Sequence, residues 1–167
     1  IQYSFGQPNS VRSVGDSRIT NKIDHIITQY EYDDVPIVVA EGSWMMTEGY
    51  GFEMQFTVNF ERGTAIYDLS AEDPLQLIEP NRDPQVIDAG PGMGYEHEIA
   101  YFINCINNNQ PPSTVTVASA AMSVKIAEAE QKSAARSIAK VCQLDPVQGY
   151  GSRGLHRIKQ ELTERFR

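Results

Sequence analysis

The stretch "GFEMQFTVNF", residues 51–60, carries the clearest structural signal of the sequence. Its apolar side chains alternate with polar ones along the whole stretch. The apolar residues are Phe52, Met54, Phe56, Val58 and Phe60, and the polar residues are Glu53, Gln55, Thr57 and Asn59. A period of two is typical of a β-strand with one face on a core and the other in a polar setting. The stretch therefore predicts a half-buried strand.

Strand patterns extend on both sides of this stretch, from Ile23 to Ala89. The segments "DHIITQYEY" (24–32) and "PIVVAEGSWMM" (36–46) flank the turn signal "DDVP", and "LQLIE" (75–79) and "PQVIDA" (84–89) flank "PNRDP". In "FERGTAIYDL" (60–69), Gly63 stands where a tight hairpin needs a positive φ. Because the connections are short, an antiparallel meander is favoured over a parallel sheet, which needs helical crossovers.

Two helices are predicted after the strands. In the first, Ile99, Phe102, Ile103 and Ile106 fall at i, i+3, i+4 and i+7 and form one apolar stripe that can seal the sheet. Pro111 and Pro112 stop this helix. Thr116 is a suitable N-cap for the second helix, residues 117–136.

These elements predict an α+β domain over residues 1–148. We expect a large, mostly antiparallel sheet of about six strands, covered on one face by the two helices. Residues 149–167 are predicted to be a linker followed by an amphipathic helical tail that docks on this chain or on a neighbour. The apolar residues of that tail at helical spacing are Leu155, Ile158, Leu162 and Phe166.

Composition excludes several classes of function. A net charge of −8 and a pI near 4.8 argue against a nucleic-acid surface, because phosphate binding needs clustered Lys and Arg. The apolar runs are too short to span a bilayer. Cys105 and Cys142 lie far apart among apolar neighbours, which favours buried free thiols over a disulfide or a nucleophile and predicts a cytoplasmic location.

The chain opens without Met, so we expect a mature fragment, a proteolytic product or an isolated domain.

The segment "GYEHEIAYF", residues 94–102, invites comparison with the zinc motif H-E-x-x-H. Tyr101 stands where the second histidine of that motif must be, and a phenol is a poor substitute for imidazole, so no metal is expected. The preceding glycines, Gly90, Gly92 and Gly94, do not have the spacing of a dinucleotide loop, and Pro91 removes one amide donor. We interpret them as a loop that turns the chain into the helix, with Glu96 and Glu98 favourably placed in its first turn.

The order of several segments resembles the C-terminal domain of the glucose-fructose oxidoreductase / inositol dehydrogenase / MocA family. The segments are "FGQPNSVRSVG", "DHIITQYEYDDVPIVVAEGSW", "FTVNFERGTAIYDL", "EHEIAYFINCINNNQPPSTV" and "AAMSVKIAEAEQKSA", within residues 3–141. The resemblance implies an oxidoreductase that uses NAD or NADP and acts on a sugar, a cyclitol or a related polyol. The family's cofactor-binding Rossmann domain is not expected in this chain. Its catalytic Asp and His are expected just upstream, so the resemblance implies no catalytic and no cofactor-binding residue here.

The same resemblance suggests three substrate-binding residues. Tyr95 and His97 fall in the region before and at the start of the first helix, which often faces the active-site cleft in this family, and Trp44 ends a strand that is often near the cleft. The alternatives are an exposed helix start for Tyr95 and His97, and a core or interface anchor for Trp44.

The predicted partners follow from the second face of the sheet. Its mixture of polar residues with Ile27, Val38 or Val39, and tyrosines is typical of a subunit interface, so we expect a homodimer or tetramer. The chain's own N-terminal Rossmann domain would be a further partner. The other hypothesis that the sequence leaves open is a free-standing sheet domain that serves protein assembly or ligand binding without redox chemistry.

Overall fold

The computed structural model describes residues 1–88 and 90–137. A short helix, α1 (Gln2–Phe5), precedes three strands, β1 (Ser10–Asp16), β2 (His25–Glu31) and β3 (Val38–Ser43). Four more strands follow: β4 (Gln55–Phe60), β5 (Gly63–Asp68), β6 (Leu75–Ile78) and β7 (Gln85–Val86). Two long helices complete this part of the chain, α2 (Gly94–Asn107) and α3 (Val117–Ser137). The predicted tail, residues 149–167, lies outside the described residues.

All the strand pairs are antiparallel, and the α+β class is confirmed. The strands do not form one sheet, however. β1, β2 and β3 form a first sheet in that order, and β4 to β7 form a second sheet. The connection between β3 and β4 contains Gly49 and Gly51, both with positive φ, and these residues take the chain out of the first sheet.

The core lies between the first sheet and α3. Tyr30 and Val38 on the sheet and Ala134 on α3 are buried. The backbone N–H of Ser13 donates to Ser133 Oγ at 2.9 Å, and Ser13 Oγ lies 2.8 Å from Thr28 Oγ1. These short polar side chains let the helix approach the strands closely while every buried hydroxyl has a partner.

A second link joins α3 to the sheet. The Tyr30 hydroxyl donates to Glu130 Oε1 at 2.6 Å. Burial, and then this bond to a carboxylate, raise the pKa of Tyr30 above its ordinary value, so the phenol stays protonated and remains the donor.

The loops follow the predicted turn chemistry with one exception. The Ser119 N–H donates to Thr116 Oγ1 at 3.1 Å, which confirms Thr116 as the N-cap of α3. Asn109, after α2, has a φ of 49°, as expected of a residue that tolerates the left-handed region. The role given to Gly63 was wrong: it is the first residue of β5 and lies outside the positive-φ set. A Cβ there would lie 2.8 Å from the Ile78 carbonyl oxygen, so glycine is needed for the close approach of β6.

The prediction that the α2 stripe seals the sheet is also wrong for the described residues. Its apolar side chains remain 51–62% exposed; they are Ile99, Phe102, Ile103 and Ile106. The apolar face of β4 is uncovered as well, with Phe56 and Phe60 46% and 61% exposed. Periodicity identifies which side chains share a face, but it carries no information on what covers that face.

Candidate functional site

The start of α2 is built by the glycine loop. Gly90 and Gly92 have φ values of 77° and 95°, a region that favours glycine. The Met93 N–H donates to Glu96 Oε2 at 2.8 Å, which satisfies one amide at the helix start. A Cβ on Gly92 would lie 2.5 Å from this same oxygen. The loop therefore turns the chain into the helix and holds the Glu96 carboxylate, as the sequence indicates.

Glu98 has a different position from the one predicted. Glu96 is the acidic residue of the first turn of α2. Glu98 is one residue beyond that turn and lines a cavity instead. Its carboxylate is available to a ligand as a hydrogen-bond acceptor.

The cavity lies between α2 and the segment that leads into α3. Its volume is about 390 Å³, and three of its lining residues on α2 are polar: His97, Glu98 and Tyr101. The remaining lining residues are Gly94, Phe102, Thr114 and Val115. His97 and Tyr101 are four residues apart, a spacing that places both on one face of the helix.

The Tyr101 phenol connects the two walls of this cavity. Its oxygen accepts the backbone N–H of Ser113 at 2.7 Å and that of Thr114 at 2.9 Å. The N–H of Thr114, together with that of Ser113, lowers the pKa of Tyr101 because both bonds favour the phenolate. These two hydrogen bonds occupy the lone pairs of the phenol oxygen. The phenol can therefore still donate its O–H but cannot accept a further bond.

The cavity thus combines three kinds of polar group. Glu98 accepts hydrogen bonds, Tyr101 retains a donor, and the ring nitrogens of His97 can do either, depending on the tautomer. Phe102 and Val115 add apolar surface. A site of this kind can hold a small molecule against its apolar surface and orient it through the polar groups.

Of the three predicted binding residues, the structure brings one to this cavity. His97 lines it, whereas Trp44 and Tyr95 are not among its lining residues. Trp44 directly follows β3 and is 84% exposed, and Tyr95 is 68% exposed. Neither Tyr101 nor Glu98 was predicted as a binding residue, although the i, i+4 spacing of His97 and Tyr101 places both on one face of the helix.

A second cavity, of about 460 Å³, lies at the other end of α2. It is lined by Phe102, Cys105, Ile106, Asn109, Gln110, Pro111 and Pro112. Cys105 is a buried free thiol, as predicted, and Cys142 lies outside the described residues. Among residues 1–88 and 90–137, no three His, Cys, Asp or Glu side chains are grouped as metal ligands.

The described helices include none that is long and apolar enough to cross a membrane. No protein-family model matches the chain, and no curated protein matches it. Similarity is found among solved structures.

The solved structures that resemble this chain include two sugar dehydrogenases. The UDP-N-acetylglucosamine 3-dehydrogenase from Acidithiobacillus ferrooxidans superposes with a TM-score of 0.60 at 17% identity, over 77% of this chain and 42% of its own. A levoglucosan dehydrogenase in complex with NADH and levoglucosan gives a TM-score of 0.64 at 15% identity, over 81% and 45%. The same enzyme with NADH and L-sorbose gives 0.64 at 16%, over 81% and 44%. The chain spans less than half the length of these enzymes and has the fold of their C-terminal part.

Proposed function

We propose that this chain is the C-terminal domain of an NAD(P)-dependent oxidoreductase that acts on a sugar, a cyclitol or a related polyol. The observation that carries the proposal is the fold shared with the C-terminal part of sugar dehydrogenases, at a TM-score of 0.64 for the levoglucosan enzyme. The order of the five sequence segments supports the same family. The neighbour's complexes with NADH support NAD as the cofactor of the whole protein.

In this proposal the chain binds and orients the substrate and does not carry out the reaction. The α2 cavity forms part of the cleft wall: Glu98 accepts from a substrate hydroxyl, Tyr101 donates to one, and His97 adds a third contact. Tyr95 and Trp44 extend the wall from the first turn of α2 and from the residue after β3. NAD(P) would accept the hydride, and both its site and the catalytic residues would belong to an N-terminal Rossmann domain.

The chain also supplies the oligomer interface in this proposal. The interface predicted from the sequence combined polar residues of β4 with Ile27 and Val38 or Val39, but these lie in two different sheets. We therefore assign the interface to the apolar face of the second sheet. The second sheet has an uncovered face on which Phe56 stacks against Tyr67, with ring centroids 5.5 Å apart. The cross-strand register places further apolar residues on this face: Val58, Phe60, Ala65, Leu75 and Leu77. Burying such a face against its symmetry mate is favourable, since a two-fold axis makes one patch its own complement.

The test uses the native full-length protein and a screen of polyols with NAD and NADP. We expect reduction of the nicotinamide with a sugar or cyclitol. His97→Ala and Glu98→Gln should each raise KM about 3- to 10-fold with a smaller effect on kcat, which corresponds to one lost hydrogen bond. Lys125→Ala, an exposed change on α3, is the matched control and should leave KM unchanged.

The two levels of the proposal fail separately. If no polyol reduces either nicotinamide, the dehydrogenase function is wrong. If activity is present but the His97 and Glu98 variants behave like Lys125→Ala, the family assignment stands and the α2 cavity is not part of the substrate cleft.

A further inference from the structure

The apolar stripe on α2 is an unpartnered surface of the described residues. Ile99, Phe102, Ile103 and Ile106 follow one another along one face and are more than half exposed. The second cavity, a groove of about 460 Å³, continues the stripe past the end of α2 to Pro111 and Pro112. A contiguous apolar patch of this kind is typical of a surface that something else covers, because its burial is favourable.

The sequence contains a segment of matching pattern beyond α3. Leu155, Ile158, Leu162 and Phe166 fall at i, i+3, i+7 and i+11, one apolar edge of a predicted helix. At 1.5 Å per residue this edge is about 16 Å long. The α2 stripe from Ile99 to Ile106 is about 10 Å long on the same basis, and the groove beyond Ile106 extends it.

Charge favours the same pairing. Residues 151–167 contain five basic and two acidic residues, a net charge of +3, and the helical part, residues 155–166, contains three basic and two acidic residues, a net charge of +1. The whole chain carries −8, so the remainder carries −11. α2 itself has Glu96 and Glu98 and no Lys or Arg. A basic segment is therefore attracted to this acidic domain, and α2 presents carboxylates but no Lys or Arg to its basic residues.

The chain is long enough for the contact to form within one molecule. α3 is described to Ser137, and residues 138–154 lie between it and Leu155. These 17 residues span up to about 56–61 Å when extended. This reach exceeds the roughly 30 Å diameter of a small domain, so the length of the connection permits the contact.

We propose that residues 155–166 form an amphipathic helix that docks in cis on the α2 stripe. Its apolar edge covers Ile99, Phe102, Ile103 and Ile106, and one of its large apolar side chains fills the groove beside Pro111 and Pro112. The basic residues of the segment then flank the apolar seam and face the acidic surface. This docking does not rest on the proposed enzymatic function, although the two surfaces share Phe102, which also lines the α2 cavity.

Photo-crosslinking in the full chain tests the proposal. Ile103 is replaced by p-benzoylphenylalanine, which keeps the position apolar, and the irradiated protein is digested and analysed by mass spectrometry. We expect the main product to join position 103 to a peptide from residues 155–167 of the same chain, with a yield that does not change on dilution. Leu162→Asp should abolish this product, and Gln160→Ala, a change off the apolar edge, should leave it intact.

A photoprobe at Val124, exposed on α3, is the control and should not capture the same peptide. Four results would overturn the proposal: crosslinks only between two copies, crosslinks only to other segments, no crosslink at all, or a product that survives Leu162→Asp. Crosslinks between two copies would indicate that a second molecule covers the stripe.

Discussion

Asp24 shows how one buried carboxylate can fix a loop between two strands. Asp24 is only 3% exposed to solvent. Oδ2 accepts the backbone N–H groups of Arg18, Ile19 and Thr20 at 2.8, 2.8 and 3.0 Å, and Oδ1 accepts the Thr20 hydroxyl at 2.7 Å. The Thr20 hydroxyl, with these amides, lowers the pKa of Asp24 to about 2.

A pH-dependent stability follows from this lowered pKa. Because the folded-state pKa is below the usual 3.8, the contribution of Asp24 is complete above pH 3.8 and is lost as the pH falls through about 2. Asp24→Asn keeps the shape and removes the titration. We expect the variant to have a lower Tm than the wild type at neutral pH and the difference to narrow over that acidic range. Thermal unfolding of both proteins at a series of pH values measures this difference. A Tm difference that does not change with pH would contradict the stabilising role of the Asp24 carboxylate.

Tyr101 and His97 show which residues of the α2 cavity the sequence could predict. His97 was identified as a binding candidate and lines the cavity. Tyr101 was considered only as a failed zinc ligand, because its two donors, the amides of Ser113 and Thr114, come from a segment 12 and 13 residues away. A backbone contact across two prolines leaves no side-chain pattern in the sequence.

At the scale of elements, the start of α2 depends on Gly92. An alanine there would take a φ near 95° and place a Cβ 2.5 Å from Glu96 Oε2, which must then move away from the Met93 amide. We expect Gly92→Ala to lower the free energy of unfolding by about 1–2 kcal/mol. Urea unfolding followed by helical circular dichroism measures this change.

Gly94 provides the matched control. It is the first residue of α2, and a Cβ on it would meet nothing within 4 Å. Gly94→Ala should be neutral or slightly stabilising, since alanine is the better helix former. Equal losses in the two variants would show that the loop does not need a left-handed residue at position 92.

The packing of α3 on the first sheet makes a second prediction at this scale. Ala134 is fully buried, and its Cβ lies 3.4 Å from where a Cβ of Gly15 would be. Ala134→Leu overpacks this contact and should cost about 1–3 kcal/mol of unfolding free energy. Ala135→Leu, on the exposed side of the helix, should change stability by no more than about 0.5 kcal/mol. Urea unfolding of both variants tests the register of α3, and a tolerated leucine at position 134 would contradict it.

β4 and α2 show which structural information a local sequence pattern contains. The alternation in residues 51–60 located β4 in part, since the strand is Gln55–Phe60 and residues 51–54 lie outside it, and the spacing of Ile99, Phe102 and Ile106 correctly located α2. Both patterns were expected to be covered, and both faces are exposed. An apolar face indicates that burying it is favourable. Which sheet a strand joins depends on pairing with distant residues, and local periodicity does not encode that pairing.

At the scale of the whole molecule, the uncovered face of the second sheet predicts self-association. We expect the chain to sediment as a homodimer or larger oligomer at tens of micromolar. Phe60→Glu places a charge on an exposed apolar residue of the proposed interface and should shift the protein to monomer. Glu72→Gln, a surface change outside the strands, is the control. A monodisperse wild-type monomer at these concentrations would contradict the proposed interface.

The central claim is that this chain is one domain of a nicotinamide-dependent enzyme, and cofactor binding tests it most directly. Isothermal titration of NADH and NADPH into the native full-length gene product, with residues 1–167 alone as the comparison, separates the two parts of the claim. We predict that the native protein binds one of the two nucleotides at one site per chain and that residues 1–167 alone bind neither. A native protein that binds neither nucleotide, or a site retained by residues 1–167, would contradict the account.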